Sequence, residues 1–106
     1  KAIALELIVT GAHFDAKRAY HHGLVNRLVA RDQLMPEALK LAQAICENAP
    51  IAVRESLSVA RQALDLDDAA LRDLSTAASR KVAATEDYKE GPRAFIEKRA
   101  PRWVGR

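Results

Sequence analysis

Apolar residues recur at helical spacing along most of the chain, in blocks parted by glycine, proline and acidic residues. Ile3 and Leu7, like Ala4 and Ile8, stand four apart in a mostly apolar opening interrupted by Glu6. This predicts a largely buried helix over Lys1 to Thr10, stopped at Thr10-Gly11 because glycine takes the left-handed cap position cheaply. A second, short helix is expected from Asp15, a natural N-cap, to His22, with Gly23 ending it. Leu24 to Ala30 (Leu-Val-Asn-Arg-Leu-Val-Ala) is too short for a good helix and rich in β-formers. It reads as a short strand or an extended connection.

Asp32 opens the next helix, with Pro36 near its first turn. Leu34, Ala38, Leu41, Ala42 and Ile45 form its stripe, which ends near Asn48. Pro50 starts another helix, with Val53, Leu57, Ala60 and Leu64 on one face. Asp65-Leu66-Asp67-Asp68 is a linker and a new N-terminus, its acids favourable beside the helix dipole. Leu71, Leu74, Ala78 and Val82 make the third stripe. Thr85 caps a last helical turn through Tyr88, and Gly91-Pro92 restarts the chain as a terminal helix. The fold class is therefore mainly α, with at most one short strand. Residues 1–30 form one region (helix, short helix, short strand) and residues 31–106 a helical second. Short connections make the long helices near neighbours.

Composition adds little to this picture. The chain has 106 residues, 49% hydrophobic and 29% charged, with only 5% aromatic, which suits one small helical domain. Its modest core would be helped by a partner surface. Charge is more informative. From Lys89 onward there are six Lys/Arg and two Asp/Glu, against eleven and twelve before it. The basicity belongs to the tail. The single Cys46 rules out an internal disulfide and suits a reducing compartment, so the cytoplasm is expected, or the mitochondrial matrix in a eukaryote. No apolar run approaches the ~20 residues needed to span a bilayer. The chain begins with Lys1 and enters an apolar helical pattern at once, which reads as a cut end: a fragment, a processed product or a piece of a longer gene product.

The order of the signals is more specific than a helical domain. Leu7-Ile8-Val9-Thr10-Gly11, then Phe14-Asp15-Ala16 and Ala19, then Gly23-Leu24-Val25-Asn26, resembles the start of the C-terminal third of the crotonase (enoyl-CoA hydratase/isomerase) superfamily. The likeness continues through Leu41-Ala42 and Ala49-Pro50 with Ala52-Val53. It finishes with Glu86-Asp87, Glu90-Gly91, Ala94-Phe95 and Glu97-Lys98-Arg99. It covers essentially the whole chain.

The resemblance implies acyl-CoA thioesters as substrates, with CoA present as part of the substrate and no covalently bound cofactor. It implies a ββα-spiral N-terminal region supplying two backbone N–H groups as an oxyanion hole, worth about 3–4 kcal/mol per donor, and two glutamates for proton work. This chain resembles only the region of the family on the C-terminal side of the second glutamate. No carboxylate present matches either one, so no catalytic residue is assigned and the chain alone is expected to be inactive. The family's C-terminal helices build trimers, often stacked as hexamers, so a homo-oligomer is expected.

One binding role carries over from the resemblance. Phe95 and Lys98 match the Phe-x-x-Lys element of the family's hydratases, which lies beside the adenine and 3′-phosphate of CoA, commonly in a neighbouring subunit. A flat ring can stack on a purine, and an ammonium can meet a phosphate as a point charge. Three residues apart on a helix is one face. Arg93, Arg99 and Arg102 add a positive local field. The resemblance also places Ser79 on a helix lining the acyl end of the pocket.

Blander readings stand beside these. Phe95 can be a core residue, Lys98 a solvated lysine, and the three arginines surface or intersubunit ion-pair groups. His21 and His22 are adjacent, about 100° apart on a helix, and chelate a metal poorly; with His13 nearby no ligand pattern is completed, so no metal is expected. Cys46 reads as a buried, inert thiol. Ser56 and Ser58 lack a nucleophile-elbow context. The Asp65–Asp68 run lacks the glycine and terminal glutamate of a calcium loop. Trp103 packs a terminus or subunit seam. The functional alternatives are a stand-alone helical assembly module without catalysis, and nucleic-acid binding through the tail. The second is weak because Glu90 and Glu97 interrupt the basic run.

Overall fold

The structure is a computed structural model that describes residues 2–106. Lys1, placed by the sequence pattern in the first helix, lies outside the described residues. The elements in order are α1 (Ala2–Thr10), α2 (Ala16–His21), a 3-10 turn (Arg31–Gln33), α3 (Leu34–Cys46), α4 (Pro50–Gln62), α5 (Asp68–Ala83) and α6 (Glu86–Ile96). The fold is mainly helical, as expected, and no strand occurs among the described residues. Leu24 to Ala30 is turn and irregular chain, so the strand option is dropped. Its β-formers have no neighbouring strand with which to share hydrogen bonds.

Two compact units divide the chain, Lys1–Leu39 and Lys40–Arg106. In the first, the Asp15 carboxylate accepts from the Arg18 N–H at 2.7 Å and starts α2. Gly23, at φ 70°, closes it. There the Leu24 N–H donates to Ala19 O, and the Gly23 N–H to Tyr20 O. This is a Schellman turn, with glycine in the left-handed position. Arg18 pairs with Glu6 at 3.2 Å, and Arg27 with Glu37 at 3.1 Å.

Here α1 departs from expectation. It forms, but it is not buried: Ile8 is 76% and Val9 79% exposed. A helix this apolar on every side is ordinarily enclosed, and no described residue covers those positions. Cys46, expected to be buried, is likewise exposed at the end of α3. Its helical neighbour Ile45 is exposed too, so the apolar end of the helix has little cover from the described residues.

In the second unit α4 packs along α5. Pro50 begins α4 behind Ala49, where its missing N–H costs nothing. The Asp67 carboxylate caps α5 through the Ala70 N–H at 2.8 Å. On α5 the stripe Leu71, Leu74, Ala78 and Val82 is the covered face, and Ala78 is buried. Leu57 on α4 stays exposed, and Leu64, expected on the same face, lies beyond the end of the helix and is exposed too.

The C-terminal element differs from the sequence reading. Glu86 to Ile96 is one helix that runs through Gly91 and Pro92 without restarting. Proline disfavours helical backbone in the preceding residue partly through that residue's Cβ, and glycine has none. Tertiary contact supplies the rest. The Trp103 ring lies 3.5 Å from where a Cβ on Gly91 would sit, and Ala94 is buried.

Candidate functional site

The tail after α6 folds back along the helix that precedes it, and carboxylates of α6 hold it there. Thr85 starts α6: its hydroxyl donates to Val82 O at 2.7 Å and accepts from the Tyr88 N–H at 3.1 Å. Two residues on, Asp87 is only 2% exposed. Its two oxygens accept from the main-chain N–H groups of Val104 and Gly105, at 2.8 and 2.9 Å. A buried carboxylate needs such donors to offset its desolvation. Gly105 sits at φ 73° with Pro50 alongside; an added Cβ would lie 3.3 Å from the proline ring. The Glu86 N–H donates to Arg106 O at 2.7 Å.

Next along α6 is Glu90, whose side chain is 17% exposed. It accepts a two-pronged contact from the Arg99 guanidinium at 2.5 and 3.0 Å, and the Arg102 main-chain N–H at 2.7 Å. The Arg99 side chain, then the Arg102 N–H, hold the Glu90 carboxyl down to about 2 from its ordinary 4.5. Arg99 also donates to Glu97 at 2.6 Å, and Arg93 donates to Glu97 at 2.9 Å. Arg93 and Arg99 lower the Glu97 carboxyl. Glu90, followed by Glu97, raises Arg99 above its ordinary value, and Glu97 does the same for Arg93. The arginines at 93 and 99 are thus tied within the segment.

This lattice fixes the turn that carries the candidate ligand residues. Because α6 ends at Ile96, Lys98 does not continue the helical face of Phe95. Instead it takes φ 52°, left-handed, where no other described residue except glycine is found. The Arg99 N–H donates to Ala94 O at 3.1 Å and the Lys98 N–H to Phe95 O at 3.2 Å. This is the turn that closes α2, with Lys98 standing where Gly23 stands. Phe95 and Lys98 are therefore brought together by a main-chain hydrogen bond. Phe95 is 86% exposed, which overturns the core reading for its ring.

Ser79 lies elsewhere, on an open groove of about 780 Å³ between α4 and α5 that Ser56, Ser75, Thr76 and Tyr88 also line. Neither Phe95 nor Lys98 lines that groove. Trp103 packs the terminus, its ring over Gly91. Sequence reasoning missed the carboxylates at 87 and 90 as tail anchors. The only signal available was the placing of acids on the α6 turns next to a basic tail. Among the described residues no three His, Cys, Asp or Glu side chains converge as a metal site, and no helix is long and apolar enough to cross a membrane.

Comparison with known proteins identifies relatives in sequence and in fold. A family model described as enoyl-CoA hydratase/isomerase matches residues 1–106. The enoyl-CoA hydratase EchA19 of Mycobacterium tuberculosis is 38% identical over 104 residues, covering 98% of this chain and 39% of the relative. The mevalonyl-coenzyme A hydratase sidH of Aspergillus fumigatus is 40% identical over 108 residues, covering 97% of this chain and 39% of its own length. A crystal structure of enoyl-CoA hydratase from Bacillus anthracis superposes with a TM-score of 0.96 at 34% identity, over 100% of this chain and 41% of that one. The chain spans about 40% of the length of the relatives it matches. By its helical fold and along its full sequence, the chain belongs to the enoyl-CoA hydratase/isomerase family.

Proposed function

We propose that this chain is the C-terminal, helical part of a longer enoyl-CoA hydratase-like enzyme, one that adds water across the double bond of a 2-enoyl-CoA. The catalytic glutamates and the oxyanion-hole donors lie on the remaining part. This part closes the site over the nucleotide end of CoA, with Phe95 against the adenine and Lys98 against the 3′-phosphate, and supplies surface for assembly into a trimer or hexamer. The segment after Ser75, with Ser79, faces the acyl end. On its own the chain is inactive.

The observation that carries the nucleotide contact is the terminal turn. A lysine held at a backbone angle natural to glycine costs about 1–2 kcal/mol, and such outliers gather where a ligand is gripped. Beside it stands a phenylalanine 86% exposed, an expense that a stacking partner would recover. Assembly and a missing body are supported by surface. Ile8 and Val9 of α1 are 76% and 79% exposed, and a helix apolar on every side is ordinarily enclosed.

The test is kinetic. The intact parent should consume a 2-enoyl-CoA, read as loss of the conjugated thioester absorbance, and residues 1–106 alone should not. Phe95→Ala and Lys98→Ala in the parent should raise KM by roughly 5- to 10-fold, with kcat nearly unchanged, as befits contacts remote from the reacting bond. A fall in kcat with KM unmoved would refute the assignment. The helical assembly module is the competing reading, and turnover by the parent separates the two.

A further inference from the structure

A Schellman turn closes both α2 and α6, and the first uses Gly23 at the left-handed position while the second uses Lys98. Nothing local makes lysine comfortable there. Something outside the turn must hold it, and the contacts identify the group. Residues on the C-terminal side of Lys98 are bonded to one carboxylate on the rigid helix: Glu90 takes the Arg99 guanidinium through two bonds and the Arg102 N–H through a third. Glu97, which also meets Arg99, is exposed and is tied to α6 through Arg93 at 2.9 Å, a weaker reference than a half-shielded two-pronged contact. Glu90 lies nine residues before Arg99 and twelve before Arg102, and its side chain is shielded from solvent by the tail. Of the side chains that reference the turn to α6, it makes the most contacts with the residues that follow Lys98.

We infer that Glu90 is a positioning residue for nucleotide recognition: by fixing Arg99 and the Arg102 amide it holds Lys98 at positive φ, and so sets discrimination in favour of a 3′-phosphorylated adenine nucleotide without touching the ligand. The inference rests on the reading of Lys98 given above. It also assigns Arg99 a place different from the one its charge suggests. Its guanidinium is consumed by Glu90 and Glu97, so it shapes the turn and is not a phosphate ligand. A planar fork on a carboxylate fixes direction as well as distance, which an ammonium cannot do.

The experiment measures, by calorimetry on the intact parent protein, the affinity ratio of CoA to 3′-dephospho-CoA. The wild type should favour CoA. Lys98→Ala should bring the ratio to about 1, a loss of roughly tenfold for a charged contact. Glu90→Gln should reduce the ratio several-fold, and Glu90→Gln added to Lys98→Ala should reduce it no further. Should Glu90→Gln fail to fold, Arg99→Lys approaches the same contact from its other side and should lower the ratio likewise. A ratio unmoved by Glu90→Gln while Lys98→Ala abolishes it overturns the inference alone. A further fall in the double variant overturns it too, because Glu90 would then act independently of Lys98. A ratio unmoved by Lys98→Ala overturns the underlying assignment of Lys98 as well.

Discussion

The indole N–H of Trp103 donates to the main-chain carbonyl of Glu47 at 2.8 Å, joining residues 56 apart in the chain. The same ring lies over Gly91. One side chain thus links the tail to the end of α3 and to the middle of α6. Trp103→Phe keeps a ring over Gly91 and removes the donor. We expect a loss of about 1 kcal/mol for the hydrogen bond, read as a lower denaturant midpoint at unchanged m-value.

Asp87 carries more. Its buried carboxylate satisfies two main-chain N–H groups, those of Val104 and Gly105. Asp87→Ala leaves both without that partner in a part-buried place. The expected cost is about 2–3 kcal/mol, with the tail released. Hydrogen exchange at the Val104 and Gly105 amides checks it: both should lose protection while the α4 and α5 amides retain theirs.

Lys98→Gly separates stability from binding. Relieving the left-handed lysine should stabilise the protein by about 1 kcal/mol, because glycine takes φ 52° freely. The same substitution removes the ammonium and should abolish preference for a 3′-phosphate. Thermal unfolding and nucleotide affinity should therefore move in opposite directions.

Acid should loosen the tail through Glu90. Its carboxyl is held to about 2 in the folded protein against an ordinary 4.5. A depressed carboxylate adds stability that is complete above the unfolded value and is lost as pH falls through the folded one. The window is therefore from about pH 4.5 down to about pH 2. Glu97, shifted the same way, contributes in the same sense. Glu90→Gln should give a shallower decline of stability across that window, measured by denaturant midpoint at successive pH values.

Much of this architecture is legible in the residues. Asp15, Asp67 and Thr85 announce helix starts because capping is local: a side chain meets an amide three residues on. The stripe of α5 is legible for the same reason. Non-local contacts escape sequence reading. Gly91-Pro92 carries every local sign of a break, and the helix runs through it because Trp103 and a buried Ala94 hold it from outside. Phe95 looks like a core residue because aromatics usually are, and α1 looks buried because its composition demands cover that the described residues do not supply. At the site, the pair Phe95 and Lys98 is legible by family resemblance, but its geometry is not. Spacing suggests one helical face, whereas the turn at Glu97 takes Lys98 off the helix. The anchoring by Glu90 depends on a tail returning over nine to twelve residues, which no periodicity encodes.

The most direct measurement is a structure of the intact parent protein with CoA bound. We expect the Phe95 ring against the adenine, and the Lys98 ammonium about 3 Å from a 3′-phosphate oxygen, with Arg99 still on Glu90. CoA bound with its adenosine end away from both Phe95 and Lys98 would contradict the assignment.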